Sequence, residues 1–442
     1  MPVIDTIATP TEMPDRTTVV IIGGGIIGVA TALELAERDV PVVLLEKGII
    51  AGEQSSRNWG WCRQMGRDPR EIPLILESLQ IWRGMTARLG AETGFRQAGI
   101  IYLAETDTEM ASKEKWFRDN VKSYGLETRL VGNAETETLQ PGSSRKWKGA
   151  LYTSADGRAE PFLAVPAMAR AALAKGAILI QNCAVRGLEK TAGRITGVVT
   201  ERGRMACEQV VLAGGAWSRR FLHNEGIEFP QLTVVNSVMR SMPLEAGVEK
   251  ACSGGKFAFR KRLDGGFTIS HRHLSVADIV PDSFRLMRQF LPALKLDWSG
   301  LRLRLGKRFV DEARLKRRWT LDETSPFEVV RMLDPEPVHS VLDEAEASLK
   351  RYFPAFAPLQ IAERWAGAID ATPDAVPVIS PLAKIPGLFL ASGFSGHGFG
   401  LGPGAGKLMA QLVLGETPCV DPKPFRYERY FDGSNPRPAT GL

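Results

Sequence analysis

Residues 18–46 read TVVIIGGGIIGVATALELAERDVPVVLLE. The stretch opens on an apolar run, Val19-Val20-Ile21-Ile22, and passes through Gly23, Gly25 and Gly28 in G-x-G-x-x-G spacing. A helical pattern runs from Ile26 to about Arg38, and a second apolar run, Val42-Val43-Leu44-Leu45, ends on Glu46. That is strand, tight turn, helix, strand and acid within about 30 residues, the context that gives the spacing its meaning. Each residue type has a physical task. Gly23 permits the tight turn, Gly25 lets the backbone approach a pyrophosphate, and Gly28 lets the helix lie close on the strand. Ile26 and Ile27 open the helix, whose unpaired N–H groups and positive dipole end suit phosphates. Glu46 can accept a hydrogen bond from a ribose 2′-OH and disfavours a 2′-phosphate. The stretch predicts a dinucleotide-binding unit at the head of the chain.

Outward from this unit, 442 residues exceed one simple core, and two domains are the natural expectation at about 100–200 residues each. With 24% charged and 44% hydrophobic residues the chain has the composition of a soluble globular enzyme. A net charge of +6 is too mild to argue for nucleic acid. Cys62, Cys183, Cys207, Cys252 and Cys419 lie far apart, as reduced thiols do in a cytoplasmic protein. His271 and His273 form the one close histidine pair, and two histidines without a third ligand make a poor metal site, so no metal is expected. The first 16 residues carry acids and no apolar core, which reads as a flexible lead-in and not a secretory signal. No apolar run reaches the ~18 residues of a transmembrane helix.

The loop after Glu46 is turn-rich and polar. Lys47, Ser55, Ser56, Arg57, Asn58, Trp59 and Gly60 are placed to cross the face of a bound dinucleotide. Its position directly after an N-terminal motif points to FAD. Arg57, Arg63, Arg67 and Arg70 follow closely, and an arginine fork suits a carboxylate. Helices are predicted over Glu71–Leu89, Thr108–Tyr124, Ala134–Leu139, Phe162–Lys175, Pro281–Leu291 and Asp343–Tyr352. Strands are predicted at Phe95–Ala104, Ala177–Ile180 and in a hairpin over Val185–Glu201. Gln209–Ser218 is an apolar strand running into a glycine turn through Ala213, Gly214 and Trp217, and is expected beside the first strand. Pro230–Ile279 is strand-rich. Ser299–Phe309, SGLRLRLGKRF, alternates leucine with arginine and reads as a strand with one basic face. Leu388–Ala391 is a short buried strand. It leads into the glycine-dense Ser392–Gly406, read as a rigid cradle before a closing helix over Lys407–Leu414.

These stretches carry a resemblance. VVIIGGGIIGVATALELAERDVPVVLLEK, VVLAGGAWS at Val210–Ser218, ERWAGAIDATPDAVPVI and GFSGHGF at Gly393–Phe399 resemble the FAD-dependent family of D-amino acid oxidase, glycine oxidase and sarcosine oxidase, from about Thr17 to Gly415. The resemblance implies an α/β fold with a Rossmann-like FAD-binding domain assembled from separate segments, here 17–85, 150–229 and 350–430. It also implies an α+β substrate domain with a mixed, largely antiparallel sheet, 86–149 and 230–349, leaving 1–16 and 431–442 as flexible tails. It further places Val185, Gly367, Gly393, Gly396, His397, Gly398 and Phe399 at the cofactor. The implied reaction is oxidation of an amino acid or amine C–N bond, with O2 or another electron acceptor. The flavin carries the redox chemistry and no catalytic side chain is assigned.

Three departures from the family pattern matter. The cysteine that attaches flavin in sarcosine oxidase corresponds to Gly367, so FAD is expected to bind non-covalently. The lysine that aids oxygen reduction corresponds to Thr268, which leaves oxidase and dehydrogenase both open. The lysine after GFSGHGF, and the carboxylate-binding arginine of glycine oxidase, correspond to Gly400 and Ile369. The carboxylate anchor is therefore sought among Arg63, Arg260, Arg272, Arg302 and Arg304, with His397 as a further substrate contact. A secondary amine of the sarcosine or iminodiacetate type is the first expectation, since GFSGHGF resembles the sarcosine oxidase branch and the basic strand Leu301–Phe309 would suit a diacid. The alternatives are a D-amino acid and the FAD-binding subunit of a hetero-oligomeric amine dehydrogenase.

Overall fold

In the computed structural model, described over residues 3–296 and 298–439, the predicted opening unit forms as read. Val19–Ile22 pairs in parallel with Val42–Leu45, and the helix Ile26–Ala36 connects them. Gln209–Leu212 lies on the other side of Val19–Ile22, also parallel, so both glycine turns open at the same sheet edge. The full order is Val378–Pro381, Leu388–Ser392, Gln209–Leu212, Val19–Ile22, Val42–Leu45, Ile178–Ile180. All neighbours are parallel except the first pair. Parallel strands buried on both faces need the near-continuous Val/Ile/Leu runs that this chain supplies.

A larger sheet stands against this one. It holds Pro230–Ile279 as strands Leu232–Ser241, Ala251–Gly254, Phe257–Lys261, Phe267–His271 and Ser275–Asp278, continued by Ile100–Ala104, Gly149–Thr153 and Thr128–Gly132. Most pairs are antiparallel, while Ala251–Gly254 with Ile100–Ala104 and Ser275–Asp278 with Leu301–Arg304 are parallel. A separate aromatic core of Phe257, Phe259, Phe267, Phe353 and Phe356 sits behind it. Gly149–Thr153 and Ile361–Ala371 pair in this sheet, although the sequence division put 150–229 and 350–430 with the dinucleotide-binding part. Ile361–Ala371 forms an 11-residue strand matched against Leu232–Ser241, which the sequence pattern does not predict.

Three further expectations change. Ser299–Phe309 is a strand only over Leu301–Arg304, and a helix, Lys307–Arg314, follows Gly306. The glycine-dense segment is not a loop as far as Gly406. The closing helix begins at Gly398 and runs to Leu414. Its glycines are there for close packing. A Cβ on Gly402 would meet the Ile26 side chain at 2.7 Å, on Gly404 the Leu74 carbonyl at 2.9 Å, and on Gly406 the Ala30 Cβ at 2.6 Å. Glycine disfavours a helix interior by roughly 1 kcal/mol each, and the tight contact with helices Ile26–Ala36 and Ile72–Leu89 offsets this. The lead-in lies along the surface. Ile4 is buried, Asp5 N–H donates to the Phe162 carbonyl, and Arg16 bridges to Ala206. Residues 1–2 and 440–442 of the two tails lie outside the described residues. Among the described residues no helix is long and apolar enough to cross a membrane.

Candidate active site

One cavity of about 500 Å3 runs from the edge of the parallel sheet to the face of the larger one. At its sheet end it is lined by Gly23, Gly25, Ile26 and Ile27, with Ala213, Gly214 and Trp217 from the second glycine turn. A Cβ on Gly28 would press on the Gly23 carbonyl and stand 3.2 Å from Ile21, so this glycine serves helix-to-strand contact beneath the cavity. Glu46 lines the wall and accepts N–H bonds from Gly24 and Gly48, each at 2.7 Å. Burial pushes its carboxyl above the usual range, against the pull of Lys47 and those two amides. Lys47 Nζ stands 4.5 Å over the Trp217 ring and pairs with Glu53 at 2.7 Å. Val185 and Cys183 close this end. Phe327 and Met332 cover it from a segment that the sequence did not mark.

The loop after Glu46 crosses the middle of the cavity, as expected. Ser55 Oγ accepts the N–H of Ile26 at 2.8 Å and ties the loop to the helix start. Asn58 and Trp59 line the cavity, and Trp59 Nε1 donates to Asn236 Oδ1 at 3.1 Å. Arg57 also lines it, but its guanidinium is held by Asp334 and the Ala366 carbonyl. Ser56 and Gly60 point elsewhere. Ser56 Oγ donates to the Glu53 carbonyl, and Gly60 packs on Ala159 and Arg260. Gly367 faces Arg57, and Gly396, His397, Gly398 and Phe399 complete the wall at the start of the closing helix. Gly393 lies behind them, donating its N–H to Asp370 Oδ2 at 2.7 Å. Burial raises the Asp370 carboxyl to about 6.

The arginine candidates separate sharply. Arg63 and Arg272 line the cavity. Arg260 does not: both of its terminal nitrogens pair with Glu160 at 2.8 Å, fully buried, behind the loop. Arg302 and Arg304 lie on the outer strand of the larger sheet, paired to Glu344 at 3.0 Å and Asp278 at 2.6 Å, away from the cavity. Leu303 and Leu305 are exposed there, so the alternation that suggested a buried apolar face belongs to a sheet edge. Thr268 also points away, towards Arg262 and a separate cavity.

The wall contains groups that the sequence left unmarked. Arg67 is buried, with Nε donating to the Arg63 carbonyl at 3.0 Å and Nη1 3.7 Å from Glu71 Oε2. Burial lowers its guanidinium to about 10. Glu71 Oε2 stands 3.0 Å from His397 Nδ1. Burial lowers the His397 imidazole, against the opposing pull of Glu71. Trp61, Tyr102, Ser253, Asn236 and His273 supply the remaining surface. Burial depresses His273 to about 4, so it is neutral near pH 7. Arg272 is braced by Glu109 at 3.0 Å. None of these carries a local motif. They are brought together by tertiary contact: Tyr102 with Ser253 and Trp61 with Arg158 by strand pairing, and Glu71 with His397 across 326 positions of chain.

A Gly-turn cradle at a helix start, an acid on the second strand and a long cavity onto an antiparallel sheet define a dinucleotide-dependent redox enzyme. The FAD dependent oxidoreductase family model of the DAO type matches residues 18–412, and the chain belongs to that family. Sarcosine oxidase subunit beta of Arthrobacter sp is 26% identical to it over 94% of this chain and 91% of that protein. Glycine oxidase of Pseudomonas aeruginosa is 25% identical over 92% of this chain and 97% of that one. The structure of L-amino acid deaminase from Proteus myxofaciens in complex with anthranilate superposes with a TM-score of 0.92 at 33% identity, covering 96% of each chain. The protein is therefore an FAD-dependent oxidoreductase, and the open glycine cradle at Gly23–Ile27 fits the cofactor.

Proposed function

We propose that the protein oxidises the C–N bond of an L-α-amino acid with an apolar or aromatic side chain. The imine formed is hydrolysed by water to the oxo acid and ammonia. When bound, FAD accepts the hydride equivalent from the substrate α-carbon. Arg63 is the observation that carries the reading. Arg57, Arg67 and Arg272 each face a carboxylate, Asp334, Glu71 and Glu109 respectively. Arg63 has none within ion-pair distance among the described residues; its Nη1 donates to the Met65 carbonyl and its guanidinium lies 5.9 Å from the Tyr102 ring centre. An unpaired, half-buried cation lining a cavity suits an anion, and a substrate carboxylate supplies one.

Trp61 stands 5.3 Å from Trp59 and 5.9 Å from Tyr102, ring centre to ring centre. This aromatic wall suits an apolar substrate side chain better than a second carboxylate. With Arg302 and Arg304 outside the cavity, the basic strand no longer supports a diacid of the iminodiacetate type. The likeness to L-amino acid deaminase, at higher identity than the sarcosine- and glycine-acting relatives, favours an L-α-amino acid. A secondary amine of the sarcosine type is the second reading, supported by the sarcosine oxidase subunit likeness over nearly the whole chain.

The cofactor is held without a covalent bond in this reading, since Gly367 has no side chain to offer. The strand Phe267–His271 turns no lysine into the cavity, which favours an electron acceptor other than O2. The reading is tested by supplying L-phenylalanine, L-leucine, D-phenylalanine and sarcosine with a dye acceptor and trapping oxo acid as its hydrazone. Oxo acid from the L-isomers alone supports it. Formaldehyde from sarcosine with no oxo acid from L-phenylalanine or L-leucine would move the assignment to the second reading.

A further inference from the structure

Positive charge in this chain is concentrated in one place. Residues 281–318 contain eleven Lys and Arg against four Asp and Glu, an excess of seven in a chain whose net charge is +6. The remainder is close to neutral. The segment folds as helices Pro281–Arg285 and Met287–Leu296, the strand Leu301–Arg304 and the helix Lys307–Arg314, all on the outer side of the larger sheet.

Between this segment and the helix Ser218–Asn224 is a further cavity, of about 180 Å3. Arg219, Arg220 and His223 line it from the helix, and Arg285, Arg308 and Arg317 from the basic segment. The lining carboxylates are Asp282 and Glu312. Asp282 alone serves three guanidiniums: Arg219 at 2.8 Å, Arg285 at 2.8 Å and Arg317 at 3.4 Å. Glu312 is taken by Arg220 at 2.5 Å. Arg308 is the least satisfied of the five, facing Asp278 and Glu312 only at long range. Its nearest carboxylate oxygens stand at 3.6 and 4.0 Å, and its Nε and Nη1 are buried with no hydrogen-bond partner.

Five guanidiniums meet Asp282 and Glu312 in the lining and, beyond it, Glu228 at 3.5 Å from Arg219 and Asp278 at 3.6 Å from Arg308, so positive charge stays in excess by about one in a concave site. A buried donor without an acceptor costs roughly 1–3 kcal/mol, more when it is charged. The missing complement is an anion with several oxygens, able to accept from guanidinium forks on more than one side. A planar carboxylate meets one fork, whereas a tetrahedral phosphate dianion presents oxygens to several at once. The cavity has the volume of about six waters at ~30 Å3 each, enough for a phosphate or diphosphate group and too small for a nucleotide. We propose that this cavity is a phosphate-binding site, separate from the dinucleotide cavity, with Arg308 and Arg317 as its principal ligands.

Two sources present that chemistry, a soluble phosphate and a phospholipid headgroup. Phe284, Met287 and Trp298 are 63%, 58% and 64% exposed on the same segment, so apolar side chains are available to meet acyl chains in the second case. Ala216 and Trp217 line both cavities, so an occupant here adjoins the wall of the FAD site.

The test uses the full-length holoprotein. Calorimetric titration with inorganic phosphate and pyrophosphate, in a buffer free of other polyanions, is expected to give one site per chain. Flotation is run in parallel with phosphatidylcholine vesicles and with vesicles one-quarter phosphatidylglycerol. R308Q and, separately, R317Q are expected to weaken binding at least tenfold while the flavin spectrum and Tm stay those of the parent. Binding of the small anions without flotation identifies a soluble phosphate. Arginine-dependent flotation on the anionic vesicles alone identifies a headgroup. No binding in either arm, or binding that both variants retain in full, overturns the proposal.

Discussion

Gly400 and Arg67 share one volume. A Cβ on Gly400 would stand 3.4 Å from Arg67 Nη2, 3.1 Å from the Trp61 carbonyl oxygen and 3.3 Å from the Cys62 Cα. The sarcosine oxidase resemblance puts a lysine at this position, and here its Cβ would press on the Trp61 and Cys62 backbone and on Arg67. The cation beside the start of the closing helix comes instead from Arg67, in the loop before the helix Ile72–Leu89. Ser78 Oγ and Trp82 Nε1 both donate to the Gly400 carbonyl, at 2.6 and 3.0 Å, and fix the backbone there. G400A is expected to cost roughly 1–3 kcal/mol through overpacking, and G400K more. Thermal melts of the holoprotein check this, and an unchanged Tm for G400K would contradict the shared-volume account.

The glycines of the closing helix predict opposite effects from one substitution type. G406A places a methyl 2.6 Å from Ala30 Cβ and 2.8 Å from the Thr31 nitrogen, backbone that cannot give way. It should lower stability by about 1–3 kcal/mol or more. Gly84 is exposed within the helix Ile72–Leu89 with nothing near its Cβ position. G84A should raise stability by roughly 0.4–1 kcal/mol. Urea unfolding of the two variants beside the parent gives the comparison.

Arg63 predicts a split by substrate charge. R63M should raise KM for an amino acid about 10–100-fold, the loss of a charge-assisted hydrogen bond worth about 1.5–3 kcal/mol. The matching amine without its carboxylate should be turned over by R63M and parent alike. R302A and R304A should leave both substrates unaffected, since their guanidiniums are engaged outside the cavity. Equal losses on amine and amino acid in R63M would remove Arg63 as the anchor.

Asp156 predicts a pH dependence. Burial raises its carboxyl to about 7, against hydrogen bonds from the Gln64 and Met65 amides and the charges of Arg63 and Arg67. The folded state therefore holds a proton that the unfolded chain, at about 3.9, has released. Between those values the native state binds more protons, so the Asp156 contribution to stability is present below about pH 4 and falls as pH rises towards 7. D156N removes that dependence. The stability of D156N relative to the parent should rise from pH 4 to pH 7 and level off above it, as read from Tm across that range. A difference that stays flat would contradict the raised value.

The opening strand, turn, helix and acid were legible because their signal is local: apolar runs of fixed length, glycines at fixed offsets and an acid at a fixed distance. The second glycine turn at Ala213–Trp217 was legible for the same reason. The glycines after Leu401 were misread because each one argues for a loop on its own. The favourable term, contact with Ile26, Ala30 and Leu74, lies hundreds of residues away in the chain. Ile361–Ala371 went unread because E-R-W-A-G-A-I-D shows no clean alternation. Its partner Leu232–Ser241 supplies the register. The wall around Arg63 was least legible of all. Arg63 stood among many arginines, and what separates it from Arg260 is a single carboxylate, Glu160, a hundred residues along the chain.

The most direct measurement is an anaerobic absorbance scan of the purified holoprotein, mixed in turn with L-phenylalanine, L-leucine, D-phenylalanine, glycine, sarcosine and iminodiacetate. The account predicts loss of the flavin band near ~450 nm with the L-amino acids and not with the D-isomer or iminodiacetate, and slow return of colour when air is admitted. A flavin that stays oxidised with both L-amino acids, while FAD remains bound, would contradict the proposed reaction.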